Sequence, residues 1–172
     1  LGLPSSGLHS NGYSLVRKIA EDHANYDEKP PYESDKPTLG DDLLTPTSLY
    51  VKPVLSVLEK HSIKGMANIT GGGLLENIPR MLPQGLGASL DATSWDLPPV
   101  MRWLKDKANL SQTDMARTFN CGIGYVLACT SDQAESICTA FKAEGQDCHI
   151  IGSVTADPQS KVKIENMDEA WG

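Results

Sequence analysis

Two apolar, strand-like runs close the chain, residues 148–154 and 162–164, and only seven residues separate them. A parallel pair needs a crossover of about a dozen residues or more, usually containing a helix. These runs therefore predict a hairpin, and with it antiparallel pairing. Upstream, strand-like stretches at 63–69, 87–91 and 119–129 alternate with helix-like ones, the last stretch being the longest. The pattern predicts an α+β fold. Its form is a layered α/β/α domain with a mixed, largely antiparallel sheet, not a doubly wound parallel one.

The helix signals are local. Leu15, Val16 and Ile19 share one stripe of a helix over 13–20, with Ser10 or Asn11 as its N-cap. Thr45 and Pro46 read as a cap followed by a first-turn proline, leading a helix through Val51, Val54, Leu55 and Leu58 to about His61. A helix over 98–107 turns Val100, Trp103 and Leu104 inward. Ser111 with Asp114, and Thr130 with Gln133, resemble capping boxes for two more. Residues 22–40, with three prolines and few apolar side chains, predict an exposed and disordered loop. From Glu165 onward the chain reads as a tail or linker, so one domain is expected over 1–164. Trp95, Trp103 and Trp171 read as core, rim and tail.

A net charge of −7 excludes a broad surface for nucleic acid or anionic membrane, while leaving room for a local anion pocket. No apolar run approaches the ~20 residues needed to cross a bilayer. Cys121, Cys129, Cys138 and Cys148 form no CxxC pair and lie at no zinc spacing from a histidine. They read as reduced thiols of a cytoplasmic protein.

Three glycine-bearing segments carry the candidate chemistry. Thr70, Gly71, Gly72 and Gly73 end a strand and open a helix, where unpaired N–H groups can hold a phosphate; a tight structural turn fits the same residues. No GK[ST] follows, so this is not a Walker A loop. Ser5 to Gly12 gathers hydroxyls, an amide and the His9 imidazole. It suits ribose or phosphate recognition, and equally a capped loop in which His9 meets a backbone group. Asn120, Cys121, Gly122 and Gly124 put glycines inside an apolar strand, the mark of a bulge or a close approach. Arg80 can meet a phosphate or pair with Glu76; Asp41 and Asp42 can hold Mg²⁺ or simply solvate a loop.

Four ordered motifs, SSGLHSNGYSLVRK, LLTPTSLYVKPV, ITGGGLLENIPR and RTFNCGIG, resemble the C-terminal domain of the aminoimidazole ribonucleotide synthetase family, the phosphoribosylformylglycinamidine cyclo-ligases. The likeness runs from about Leu1 to about Lys163. It implies a ligase of purine biosynthesis, commonly part of a trifunctional protein in animals. In such enzymes ATP and Mg²⁺ activate the formyl oxygen of formylglycinamidine ribonucleotide, and a nitrogen of the same substrate closes the imidazole ring. The resemblance further implies an ATP-binding N-terminal domain as partner, outside this sequence, that carries the ATP and metal sites and forms the homodimer. This chain alone is then expected to fold without turning over.

Carried over by position, Ser6, Gly7, Ser10, Asn11 and Gly12, Thr70, Gly71, Gly72 and Gly73, and Asn120 are expected to bind the ribonucleotide. His9 is expected to serve in acid–base catalysis. No metal ligand is assigned. The alternatives are a non-catalytic ligand-binding or dimerisation module of the same fold, or part of formylglycinamidine ribonucleotide synthetase.

Overall fold

The computed structural model describes all 172 residues, Leu1–Gly172. Six strands form: β1 (Gly2–Pro4), β2 (Gly65–Asn68), β3 (Leu86–Asp91), β4 (Ile123–Ala128), β5 (Gly152–Ala156) and β6 (Val162–Glu165). They divide into two three-stranded sheets. The first, in the order β1-β4-β2, is antiparallel throughout. Its centre is β4, which pairs on both edges and is buried on both faces. Val126 joins a large core of 26 buried residues, and Leu127 a smaller one. Burial on both sides explains why this segment reads as an unbroken apolar run.

Eight α-helices surround the sheets: α1 (Tyr13–His23), α2 (Leu39–Leu43), α3 (Val51–Leu58), α4 (Gly73–Asn77), α5 (Pro99–Ala108), α6 (Gln112–Thr118), α7 (Ala134–Ala143) and α8 (Met167–Trp171). The smaller core joins Val54 and Val57 of α3 to Ile137 and Phe141 of α7, over Leu3 and Leu127. Each such side chain contributes about 1.5–3 kcal/mol relative to exposure. Helices α1, α4, α5 and α6 supply the larger core. A mixed α/β fold with antiparallel and mixed sheets is thus what the chain adopts.

The closing strands do not form a hairpin with each other. In the second sheet, β5 lies antiparallel to β3 on one edge, and β6 lies parallel to β3 on the other. Stepping over one strand needs about 10 Å, which the five residues 157–161 span easily. The step is built from hydrogen bonds: Asp157 N–H to the Gly85 carbonyl at 2.9 Å, and Ala88 N–H to the Lys161 carbonyl at 3.1 Å. Gly87 leaves space there, since a Cβ would meet Asp157 at 3.0 Å and run into the Lys161 carbonyl.

Other local expectations are redirected by tertiary contacts. Gly12, in the left-handed region with φ 65°, precedes α1, not a side-chain cap from Ser10 or Asn11. Residues 45–50 do not begin a helix, which starts only at Val51; Pro46 and Ser48 instead serve the first glycine loop. Ser111 does cap α6, accepting from the Asp114 N–H, whereas Thr130 makes no cap. The loop ahead of α2 is exposed but anchored. Tyr32 lies against Trp103, ring centroids 5.5 Å apart, and donates to Asp42 at 2.6 Å. The expected tail folds as α8. Its Trp171 is fully buried edge-on to Trp95 at 6.1 Å, and Arg102 holds the Ala170 carbonyl at 3.2 Å.

Candidate functional site

The two glycine-bearing loops meet beside the first sheet. At the end of β1 the Ser5 N–H donates to the Gly122 carbonyl at 2.8 Å, which starts the first loop against the turn before β4. Asn120 in that turn is fully buried. Its Oδ1 accepts from Ser5 Oγ at 3.0 Å and Gly122 N–H at 2.9 Å, while Nδ2 donates to the Gly7 carbonyl at 2.9 Å. Buried polar groups need partners, and each polar atom of the Asn120 side chain finds at least one inside the protein. It shapes the loop from behind. Cys121 (φ 49°) and Gly122 (φ 96°) make the turn ahead of β4, which therefore begins at Ile123, later than the sequence implied.

His9 is buried, with φ 55°. Its Nε2 accepts from Ser6 N–H at 3.1 Å and from Ser48 N–H at 3.4 Å. A nitrogen accepting two donors carries no proton, so the ring is neutral with its proton on Nδ1. Burial lowers the pKa in the same direction. Room for the ring comes from Gly124, where a Cβ would lie 2.5 Å from His9 Cε1 and against the Tyr50 hydroxyl. Tyr50 donates to the Pro4 carbonyl at 2.7 Å, and burial pushes its pKa up to about 12. The imidazole is thus a clasp between residues 6 and 48.

Asn11 links the two loops. It is buried, and its Nδ2 donates to the Ile69 carbonyl at 3.3 Å, where β2 gives way to Thr70. In the second loop Gly73 is buried at φ 56°, and a Cβ would fall 2.6 Å from the Phe119 carbonyl oxygen and into that of Ala116. Asn77 gathers this loop. Its Nδ2 donates to the carbonyls of Gly73 at 2.8 Å, Thr70 at 3.2 Å and Gly71 at 3.3 Å; its Oδ1 accepts from Thr70 Oγ1 at 3.1 Å. Arg80 donates to the same Oδ1 at 3.2 Å and forms no pair with Glu76. Helix α4 runs only five residues before a 3₁₀ turn, so its dipole is small.

The expected site residues therefore separate by exposure. Ser6, Ser10, Thr70 and Gly71 face solvent, with Gly7, Gly12 and Gly72 partly open; His9, Asn11, Gly73 and Asn120 are buried beneath them. The Gly71 and Gly72 N–H groups have no acceptor within the protein. Gly71 has an ordinary φ, and a Cβ there would touch nothing within 4 Å. Ser48 and Tyr50 emerge only from the structure, because their contacts span 39 and 46 residues of sequence. A cavity of about 620 Å³ lies elsewhere, between the two sheets, and is mostly apolar. No three His, Cys, Asp or Glu side chains converge as metal ligands. No helix is long and apolar enough to cross a membrane.

Similar proteins place this architecture. The sequence is 47% identical over 173 residues to the human (Homo sapiens) Trifunctional purine biosynthetic protein adenosine-3, covering 99% of this chain and 17% of that protein. It is 47% identical over 154 residues to Phosphoribosylformylglycinamidine cyclo-ligase of Bacillus subtilis (strain 168), covering 90% of this chain and 44% of that enzyme. It thus spans less than half the length of these relatives. In fold it resembles thiamine-monophosphate kinase from Stenotrophomonas maltophilia K279a, with a TM-score of 0.60 at 19% identity over 95% of this chain and 49% of that one. The family model described as AIR synthase related protein, C-terminal domain, matches residues 1–165, and the chain belongs to that family.

Proposed function

We propose that this chain supplies the substrate-side half of an ATP-dependent cyclo-ligase site, closing formylglycinamidine ribonucleotide to aminoimidazole ribonucleotide in purine biosynthesis. The observation that carries the reading is Gly71. Nothing in the fold requires glycine there, since its φ is ordinary and the Cβ position is empty. A ligand lying against the backbone does require it. With the Gly72 N–H beside it, Gly71 presents two unpaired donors and the exposed Ser10 hydroxyl adds a third, while the hydroxyls of Thr70 and Ser6, which donate to Asn77 and Pro46, can still accept. Such a set suits the phosphate and ribose of a ribonucleotide. The phosphate would rest on free amides, since a five-residue helix adds little field.

His9, Asn11, Asn77 and Asn120 hold these donors in place from below. A buried Nε2 that already accepts two backbone N–H groups is poorly placed to take a substrate proton, so His9 is a positioning residue in this scheme. In this reading ATP and Mg²⁺ are held mainly by chain outside these residues. Leu49, 86% exposed beside Ser48, and Leu44, 73% exposed, offer apolar surface next to the first loop. An ATP-binding domain closing over the site would cover them, and a homodimer in the cytoplasm through that domain completes the reading. This chain alone would not turn over.

The test is Gly71→Ala in the complete enzyme, followed by steady-state kinetics. The expected result is a KM for the ribonucleotide raised at least about tenfold, equivalent to about 1.4 kcal/mol, with the KM for ATP unchanged. Unchanged ribonucleotide KM would remove the loop from the site.

A further inference from the structure

Away from the two loops, the fold brings together a pair of thiols ten residues apart in sequence. Cys138 on α7 and Cys148 in the segment after it have their sulfurs 2.8 Å apart. Both are partly buried against the smaller core, beside Ile137, Phe141 and Leu3. Bonded sulfurs lie ~2.05 Å apart, so bond formation asks for movement of less than about 1 Å. Residue 149 exchanges both backbone hydrogen bonds with Gly2, at 2.8 and 2.9 Å, so the Cys148 segment is fixed to the start of β1. The other thiols are placed differently: Cys121 is fully buried in the larger core, and Cys129 has no sulfur partner.

We infer that Cys138 and Cys148 are a thiol-modification site, closing to a reversible disulfide when a peroxide or glutathione disulfide reaches them. With peroxide, the thiolate of one of the two cysteines attacks one oxygen, becomes a sulfenic acid and releases hydroxide. The sulfur of the other cysteine then attacks the sulfenic sulfur, forming the S–S bond and expelling its oxygen as water. Two thiols are oxidised and one peroxide is reduced to two waters. With glutathione disulfide, two exchange steps give the same bond and release two glutathione thiols. Either sulfur can donate to the other across the 2.8 Å contact, so the same chemistry runs with the two roles exchanged. The bond would tie α7 to the strand that leads into residues 5–12. The inference rests on these side chains alone and is independent of the reaction proposed above.

The experiment treats the chain with hydrogen peroxide and, separately, with glutathione disulfide, then alkylates free thiols and cleaves after glutamate. Cuts after Glu135, Glu144 and Glu165 place Cys138 in residues 136–144 and Cys148 in residues 145–165, apart from Cys121 and Cys129. The expected product in both arms is a linked pair of those two peptides, two hydrogens lighter than their sum. Cys121 and Cys129 should remain alkylated, and dithiothreitol should restore all four thiols. In Cys138→Ser the linked pair should be absent. Alkylation of all four thiols after oxidant would overturn the inference, as would a link that includes Cys129.

Discussion

Gly73 and Gly71 sit two residues apart in one loop, yet alanine should act oppositely at the two positions. At Gly73 the backbone has φ 56°, and a Cβ would fall 2.6 Å from the Phe119 oxygen and into the Ala116 oxygen. The left-handed conformation costs a non-glycine residue about 1–2 kcal/mol. Forcing a methyl against two fixed carbonyls adds roughly 1–3 kcal/mol. Gly73→Ala should therefore destabilise by about 3 kcal/mol, or roughly 6–12 °C in Tm for a chain of this size. At Gly71 the φ is ordinary and the space is open, so alanine should be neutral or stabilise by about 0.4–1 kcal/mol through the unfolded chain. Urea denaturation of both variants, with m compared to the parent, reads these numbers directly. Gly73→Ala within about 0.5 kcal/mol of the parent would refute the packing argument. So would Gly71→Ala losing as much as Gly73→Ala, because the loop would then be constrained at a point where the structure leaves it free.

His9 gives a pH dependence of definite sign. Its pKa is lowered in the folded chain by burial, so the unfolded chain binds more protons as pH falls through about 6.5. Stability should be full above that pH and decline below it, and His9→Gln should flatten the slope between pH 7.5 and 5.5 in thermal melts; an unchanged slope would assign it to another group. Trp171→Ala should cost about 3 kcal/mol, the low end for a buried tryptophan, and removal of residues 166–172 should cost about as much. Both changes being silent in urea denaturation would return α8 to the status of a tail.

Much of the fold was legible because its signals are local. The stripe in α5, the Ser111 cap of α6 and the apolar run of β4 each depend on neighbours in sequence; the first two appear where expected, and β4 lies inside its expected run but starts four residues late. What failed was decided at long range. The 157–161 connection looks like a hairpin turn by length, but Ala88 and Leu90 are buried and β3 must be covered on both edges, so β5 and β6 separate around it. Thr45 and Pro46 carry sound helix-start chemistry, yet the segment is spent on contacts to Ser6 and His9. Trp171 lies past a polar stretch that reads as a linker, and only the Trp95 surface gives it a place. At the site, the glycine loops were visible as motifs. Which of their residues face outward was not, because Asn120 and Asn11 look the same in sequence whether they bind a ligand or brace a loop.

The most direct test of the central claim is isothermal titration of the 172-residue chain with formylglycinamidine ribonucleotide and, separately, with Mg-ATP. The account predicts saturable binding of the ribonucleotide, weakened in Gly71→Ala, and none of Mg-ATP. Binding of Mg-ATP without the ribonucleotide would contradict it, since the nucleotide half of the site would then lie on these loops.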